Sequence, residues 1–304
     1  MLPIVFLQAL YGTSIPISKF LLSLCPPFFL TGVRMVVAGI VLLFYKLFID
    51  KEKFVFEKKH LWLYAQIILF GIYFKYLLRY WALSLLPAAK LSFMLNTTPF
   101  IAALFSFVWF GEKLTKKQWI GLWIGFLGLM PLLLLRTPKE ALMGQLFFIS
   151  WPEVAVFVAI ACHTYGMVVA RTLIRDHKSS AAGINGVRML GGGILALFTA
   201  FFWEGFFPIT DVGTFSIWLL GLVFISNIVC HSWYLRLLKN YSVTFISLTD
   251  FISPLTTAFY SWLFLKEAIT WHYGVCAVTV FAGLYLFHQD ELQVSSLQAQ
   301  KGKA

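Results

Sequence analysis

Charge is scarce in this sequence. Of 304 residues only 12% are charged and 13 are acidic, whereas 60% are hydrophobic and 18% aromatic. Soluble domains carry about 25% charged residues. A soluble fold of this length would leave too much apolar surface in water. Disorder, a coiled coil and an ordinary soluble enzyme are therefore excluded. Cysteine is sparse as well: Cys25, Cys162, Cys230 and Cys276 form no CxxC, and three of them lie inside apolar runs. That excludes a disulfide framework and speaks against a zinc centre. Cys162-His163 and Cys230-His231 are adjacent pairs, but helix neighbours point about 100° apart, so neither pair is a chelate by itself. HExxH, GxSxG and GxxxxGK[S/T] are all missing, which leaves no metalloprotease, serine-hydrolase or nucleotide-hydrolysing chemistry. No enzyme activity, cofactor, metal or ATPase subunit is expected. Nothing reads as the ring of like residues that a channel filter needs.

What the chain does have is long apolar runs. A helix crosses a bilayer with about 20 apolar residues. Ten runs qualify, at 3–22, 28–49, 61–84, 88–110, 117–135, 151–174, 181–203, 212–235, 243–265 and 270–288. The first lacks a basic leader and a small-x-small cleavage site, so it reads as a span rather than a signal peptide. The polar tail 289–304 is expected to be largely disordered.

The same pattern occurs twice. Tyr11-Gly12, Gly32-Val33-Arg34-Met35 and Gly39-Ile40 return 154 residues later as Tyr165-Gly166, Gly186-Val187-Arg188-Met189 and Gly193-Ile194. Pro99, Glu112 and Gly128 return 155 residues later as Pro254, Glu267 and Gly283. The expected fold is thus all-α and integral to the membrane, with ten transmembrane helices as two five-helix repeats. The first repeat covers 1–135 and the second 151–288. Between them lies a loop, 136–150, and after them a cytoplasmic tail, 289–304. Five is odd, so the second copy enters from the opposite face. Such inverted-topology repeats are a signature of secondary transporters.

The net charge of +11 fits this arrangement better than it fits nucleic acid, since no basic stripe with recognition chemistry is present. With the N-terminus inside, inner loops and tail carry about fifteen Lys/Arg, and outer loops carry Arg136, Lys139 and Lys266. By the positive-inside rule both termini face the cytoplasm, and the expected location is the cell inner membrane.

Ionisable groups within spans are costly and default to functional readings, with snorkelling to the headgroups as the alternative. Lys75 and Arg79 lie one turn apart on one face of the third span. At an offset of 152 they match Asn227 and His231 on the eighth. These four are the leading substrate or gate candidates. Asp250 lies four residues before Pro254; it reads as a contact for a substrate cation, a proton-coupling acid or a salt-bridge partner of an arginine. Proline leaves the carbonyl four residues earlier without its helix donor. Those carbonyls belong to Asp250 itself and to Leu95, beside Asn96 and Thr97. Tyr11 and Tyr165 occupy equivalent positions and could stack on a flat ring or attract a cation. The substrate-binding candidates are thus Tyr11, Lys75, Arg79, Asn96, Tyr165, Asn227, His231 and Asp250.

Arg34 and Arg188 sit about 10 Å deep among glycines and read as structural braces or snorkels before substrate contacts. Lys19, Lys90 and Glu153 read as headgroup-level residues. His163 and His231 read as core histidines, with pH sensing as the alternative. Trp62, Trp119, Trp151, Trp203 and Trp271 read as an interface belt. The outer half is rich in cations, which would draw anions if those groups line a vestibule.

Tyr11-Gly12 with Ser14 and Pro16, Gly32-x-Arg34, Thr98-Pro99, Gly111-Glu112, Gly121 and Gly128 have second-half partners in Tyr165-Gly166, Gly186-x-Arg188, Ser253-Pro254, Lys266-Glu267, Gly274 and Gly283. In these residues the chain resembles the EamA branch of the drug/metabolite transporter superfamily, over about residues 3 to 288. Lys266 departs from the pattern where the first half has Gly111. The resemblance implies an alternating-access carrier of amino acids, nucleotides or other small metabolites. The chain further resembles the S-adenosylmethionine/S-adenosylhomocysteine carriers of chlamydia-like bacteria. That implies S-adenosylmethionine uptake in exchange for S-adenosylhomocysteine, with aromatic faces, Lys75/Arg79 and Asp250 answering adenine, carboxylate and sulfonium. An amino-acid or anionic-metabolite carrier or exporter is the alternative. The expected partners are a small molecule and the lipid bilayer, with no nucleic acid.

Overall fold

A computed structural model of the chain describes residues 2–48, 60–110, 114–135, 137–175, 181–205, 209–230, 233 and 250–301. The described residues are almost entirely helical. They run α1 (Leu2–Leu21), α2 (Pro27–Phe48), α3 (Leu61–Leu85), α4 (Ala88–Leu95), α5 (Thr98–Phe110) and α6 (Lys116–Leu134). After the short α7 (Pro138–Ala141) and a two-stranded hairpin, β1 (Gln145–Leu146) with β2 (Ile149–Ser150), come α8 (Trp151–Arg175), α9 (Ala181–Trp203), α10 (Val212–Leu222), α11 (Ile252–Leu265) and α12 (Trp271–Lys301). Six of the described segments are long and apolar enough to cross a membrane. The protein is an all-α integral membrane protein.

Local chemistry explains the helix ends. Thr115 and Gln118 form a capping box that starts α6, satisfying backbone N–H groups that have no helical acceptor. Pro27 is the first residue of α2, where its missing N–H costs nothing. The Glu204 carboxylate takes the next two donors, Phe28 N at 2.9 Å and Phe29 N at 2.8 Å. Glu267 does the same for the Ala88 N–H that opens α4, at 2.9 and 3.1 Å. Lys266 closes α11 in the left-handed conformation, φ 55°. Glycine takes that conformation without penalty. This is the position at which the first half has Gly111, itself outside the described residues.

One described span is interrupted. The helix from Ala88 breaks at Asn96–Thr97 and restarts as α5, just before Pro99. In the other half, Asp250 and Phe251 form a turn before α11, which contains Pro254. The wider π-helical turns also come in a pair, at Leu69–Phe74 inside α3 and at Val223–Cys230 after α10. At the offset of 152 the two stretches overlap.

The chain divides into two compact units, each drawing on both halves of the sequence: 1–18, 86–151 and 224–304 in the first, and 19–85 and 152–223 in the second. Within the second unit α2 and α9 pack backbone to backbone. A Cβ on Gly39 would stand 2.6 Å from Leu190 N, and one on Gly193 would stand 2.7 Å from Val36 N. Likewise Gly32 faces Leu197, and Gly186 faces Leu43. Shifting every number by 154 converts each of these contacts into its partner. A small core of Tyr64, Ile67, Val169, Ala170, Leu173 and Ile184 joins α3, α8 and α9. Within the first unit, Gly121 of α6 and Gly283 of α12 meet as closely, a Cβ on either standing 2.5–2.6 Å from the other's carbonyl oxygen.

Two expectations are corrected. The tail is not without structure, because α12 continues as helix from the span through to Lys301. Lys90 and Glu153 do not face headgroups: both side chains are fully enclosed by protein. Lys90 Nζ lies 2.8 Å from Glu140 Oε1 and donates to the Leu135 carbonyl at 2.7 Å. Glu140 caps α7 through Thr137 and accepts from Ser150 Oγ at 2.6 Å. The segment joining the two halves is thereby pinned to α4.

Candidate functional site

The second unit gathers cations. Lys75 and Arg79 begin just where the π turns of α3 end and flank Tyr76. Lys75 Nζ lies 4.7 Å and Arg79 Cζ 5.9 Å from its ring centre. Arg188 reaches in from α9. Its Nη1 stands 3.8 Å from where a Cβ on Gly71 would be, and 4.0 Å from the Met167 sulfur on α8. Gly71 thus makes room for the guanidinium and for α8, since Gly166 packs directly against it. Lys75 lies within electrostatic reach of both Arg79 and Arg188. His163, one turn before Met167 on α8, is close enough to feel all three. All four side chains are half-buried.

Among the described residues no carboxylate pairs with Lys75, Arg79 or Arg188. Arg79 Nε, Arg188 Nε and His163 Nδ1 are buried with no hydrogen-bond partner. Arg34 Nε shares that condition, but the rest of its head group is engaged. Arg34 is buried on α2, hydrogen-bonds the Tyr80 hydroxyl and lies 5.9 Å over that ring, as a brace would. Tyr165, from α8, donates to Gln66 Oε1 at 2.9 Å and meets Phe70 edge-on at 5.2 Å.

The first unit holds Asp250. Its carboxylate accepts a hydrogen bond from the Gln8 amide of α1, itself buried. Around it α1, α4 and α11 are laced by Thr257 Oγ1 donating to the Gly12 carbonyl at 3.0 Å and by Ser92 to Thr257 at 3.3 Å. The carbonyls that proline releases are occupied. That of Leu95 takes the Thr98 hydroxyl at 2.5 Å, and that of Asp250 takes the Ser253 N–H at 3.0 Å. The Asn96 amide turns back to the Ser92 carbonyl at 3.1 Å. Tyr11 is half-buried on α1. Asn227 lies in the second π stretch, and His231 lies outside the described residues.

The structure therefore brings Lys75 and Arg79 together with Arg188 and His163, and Asp250 together with Gln8. Sequence reasoning missed Gln8, Tyr76 and Gly71. A signal existed for Gln8, an amide in the apolar first half of α1, and for Tyr76, lodged between two cations.

The EamA-like transporter family model matches the chain twice, at residues 2–134 and 150–288. The chain belongs to the EamA-like transporter family. This member is 30% identical to the S-adenosylmethionine/S-adenosylhomocysteine transporter of Chlamydia muridarum, over 87% of its own length and 84% of that protein's. It is 29% identical to a transporter of the same description from Chlamydia trachomatis, over 87% and 82%. An uncharacterized transporter of Bacillus subtilis, YoaV, is 24% identical over 94% and 95%. A crystal structure of a protein 18% identical in sequence superposes with a TM-score of 0.62, covering 99% of this chain and 98% of that one, which shows a shared fold. This EamA member is a multi-pass membrane transporter of a small molecule, and not an enzyme.

Proposed function

We propose that the protein is a secondary, alternating-access carrier in the cell inner membrane that takes up S-adenosylmethionine in exchange for S-adenosylhomocysteine. The observation that carries this reading is the 30% identity to the Chlamydia muridarum transporter over most of both chains. The polar centres are chemically apt for it. Asp250 offers an acid to an ammonium or sulfonium, Lys75 and Arg79 offer cations to a carboxylate, and Tyr11 and Tyr165 offer aromatic faces to adenine. Asn96, Asn227 and His231 complete the set assigned to substrate. The architecture we propose is ten spans in two inverted five-helix repeats, 1–135 and 151–288, with both termini cytoplasmic. The double family match and the paired π turns support it. An amino-acid or anionic-metabolite carrier is the second reading, favoured by the absence of a carboxylate partner for Lys75, Arg79 and Arg188 among the described residues.

The test is uptake of radiolabelled S-adenosylmethionine by bacterial cells expressing the chain. Saturable uptake, blocked by S-adenosylhomocysteine and absent with Asp250→Asn or Lys75→Ala, is the expected result. Cells with the protein confirmed in the membrane and uptake no greater than empty-vector controls would end the substrate assignment.

A further inference from the structure

Three cations from two helices converge in the second unit, and among the described residues nothing acidic pairs with them. Folding alone does not account for this. Like charges held in a site of low dielectric repel, and a buried guanidinium nitrogen without an acceptor forfeits its hydration. Arg34 shows what a structural arginine looks like in this protein: buried and bonded to a tyrosine hydroxyl. Arg34, Arg79 and Arg188 all leave Nε unpartnered, as His163 leaves Nδ1, but among the described residues only Arg34 of the three bonds a tyrosine hydroxyl through the rest of its head group. The backbone is also shaped for the gathering. Gly71 sits in π-helical turns that immediately precede Lys75, and the Arg188 guanidinium passes 3.8 Å from its missing Cβ. Widened helical turns of this kind recur at functional sites.

We propose that Lys75, Arg79 and Arg188 form a binding site for the carboxylate of the carried metabolite, with His163 beside it. Arginine forks match a planar carboxylate in two parallel hydrogen bonds, and Lys75 supplies a third charge-assisted donor. Tyr76, with both α3 cations around its ring, fixes their spacing. Arg188 is new to this assignment: it is a ligand-contacting residue from the second half of the chain, where its repeat mate Arg34 is a brace. The inference rests on the carrier reading above and names the group that the cationic end of the site recognises.

The test compares two probes that differ only in that group, S-adenosylmethionine and its decarboxylated analogue, binding to purified full-length protein in detergent and low-chloride buffer. Losing a charge-assisted contact of this kind weakens binding by about ten- to a hundred-fold. The wild type is expected to favour S-adenosylmethionine by at least about ten-fold, and Arg188→Gln to bind both probes alike. Equal affinity in the wild type, or a preference that survives both Arg188→Gln and Lys75→Met, overturns the site. If neither probe binds, the substrate assignment fails and sodium malate decides the carboxylate site separately. A rise in melting temperature with malate that Arg188→Gln abolishes supports it, and no rise, or one larger with inorganic phosphate, overturns it. Should Arg188→Gln fail to fold, Arg188→Lys keeps the charge but loses the fork, and is expected to retain only part of the preference.

Discussion

Lys90→Met is expected to destabilise the protein more than any single change among its surface charges. Lys90 and Glu140 are both fully enclosed, 2.8 Å apart. At that distance and an effective dielectric of about 20, their gross attraction is about 6 kcal/mol. Desolvation of two ions cancels much of this, so the pair itself contributes little net stability. Removing one partner is another matter, because it strands the second charge. The carboxylate would keep the Ser150 hydroxyl at 2.6 Å and lose its cation, at a cost of about 3–5 kcal/mol. Glu140→Gln on the Lys90→Met background removes the stranded charge and preserves an acceptor for Ser150. The double variant should therefore lie within about 1–2 kcal/mol of wild type. Equilibrium unfolding in mixed micelles measures the three stabilities. Hydrogen exchange across residues 137–150 reports locally whether the connecting segment has come loose. If Lys90→Met costs less than about 1 kcal/mol, or if the two changes simply add, the pair is not a desolvated, mutually dependent unit.

Gly39→Leu places a side chain where a Cβ already lies 2.6 Å from Leu190 N; it should cost at least about 3 kcal/mol and show as lost monodisperse protein on size-exclusion chromatography. Lys266→Gly relieves a left-handed residue, φ 55°, and should raise stability by about 1 kcal/mol in the same unfolding assay. Burial holds the Glu204 carboxyl above its ordinary range, against the opposing pull of the Phe28 and Phe29 N–H groups. An acid with a raised folded-state pKa binds more protons folded than unfolded, so it lowers stability as pH rises from about 4.5 through that raised value. Melting temperature against pH should fall across this window in the wild type and flatten in Glu204→Gln.

Much of this was legible in the chain because apolar length and periodicity fix where spans begin and end. The spans expected at 28–49, 61–84, 117–135 and 181–203 appear as Pro27–Phe48, Leu61–Leu85, Lys116–Leu134 and Ala181–Trp203. The glycines around Arg34 and Arg188 announced close packing, and α2 with α9 provides it. Pro99 and Pro254 announced breaks in the helix hydrogen-bond ladder. What followed from those breaks was not legible, because a released carbonyl is at once claimed by a nearby hydroxyl or N–H, as Leu95 is by Thr98. Long-range partners were hidden for a simpler reason. Depth along one helix gave Lys90 and Arg188 a height in the membrane and no neighbour. Glu140 lies 50 residues from Lys90, and Gln8 lies 242 from Asp250. Arg34 and Arg188 looked interchangeable in the repeat, and only the Tyr80 hydroxyl that meets Arg34 separates a brace from a cation left open.

The reciprocal contacts between α2 and α9 bear on how such a chain arises. When position i of one copy touches j of the other, and the matching j touches the matching i, the contact is that of a two-fold homodimer. Gly39 with Leu190 and Gly193 with Val36 are such a pair. An ancestor of half this length would meet itself through this same face before duplication and fusion joined the copies. Once fused, the two faces are free to drift apart in sequence but not in shape, since each glycine accommodates a bulky residue of the other copy. Bulk gained on one side must be surrendered on the other, so these positions should covary in pairs across the duplication long after the rest of the two halves has diverged.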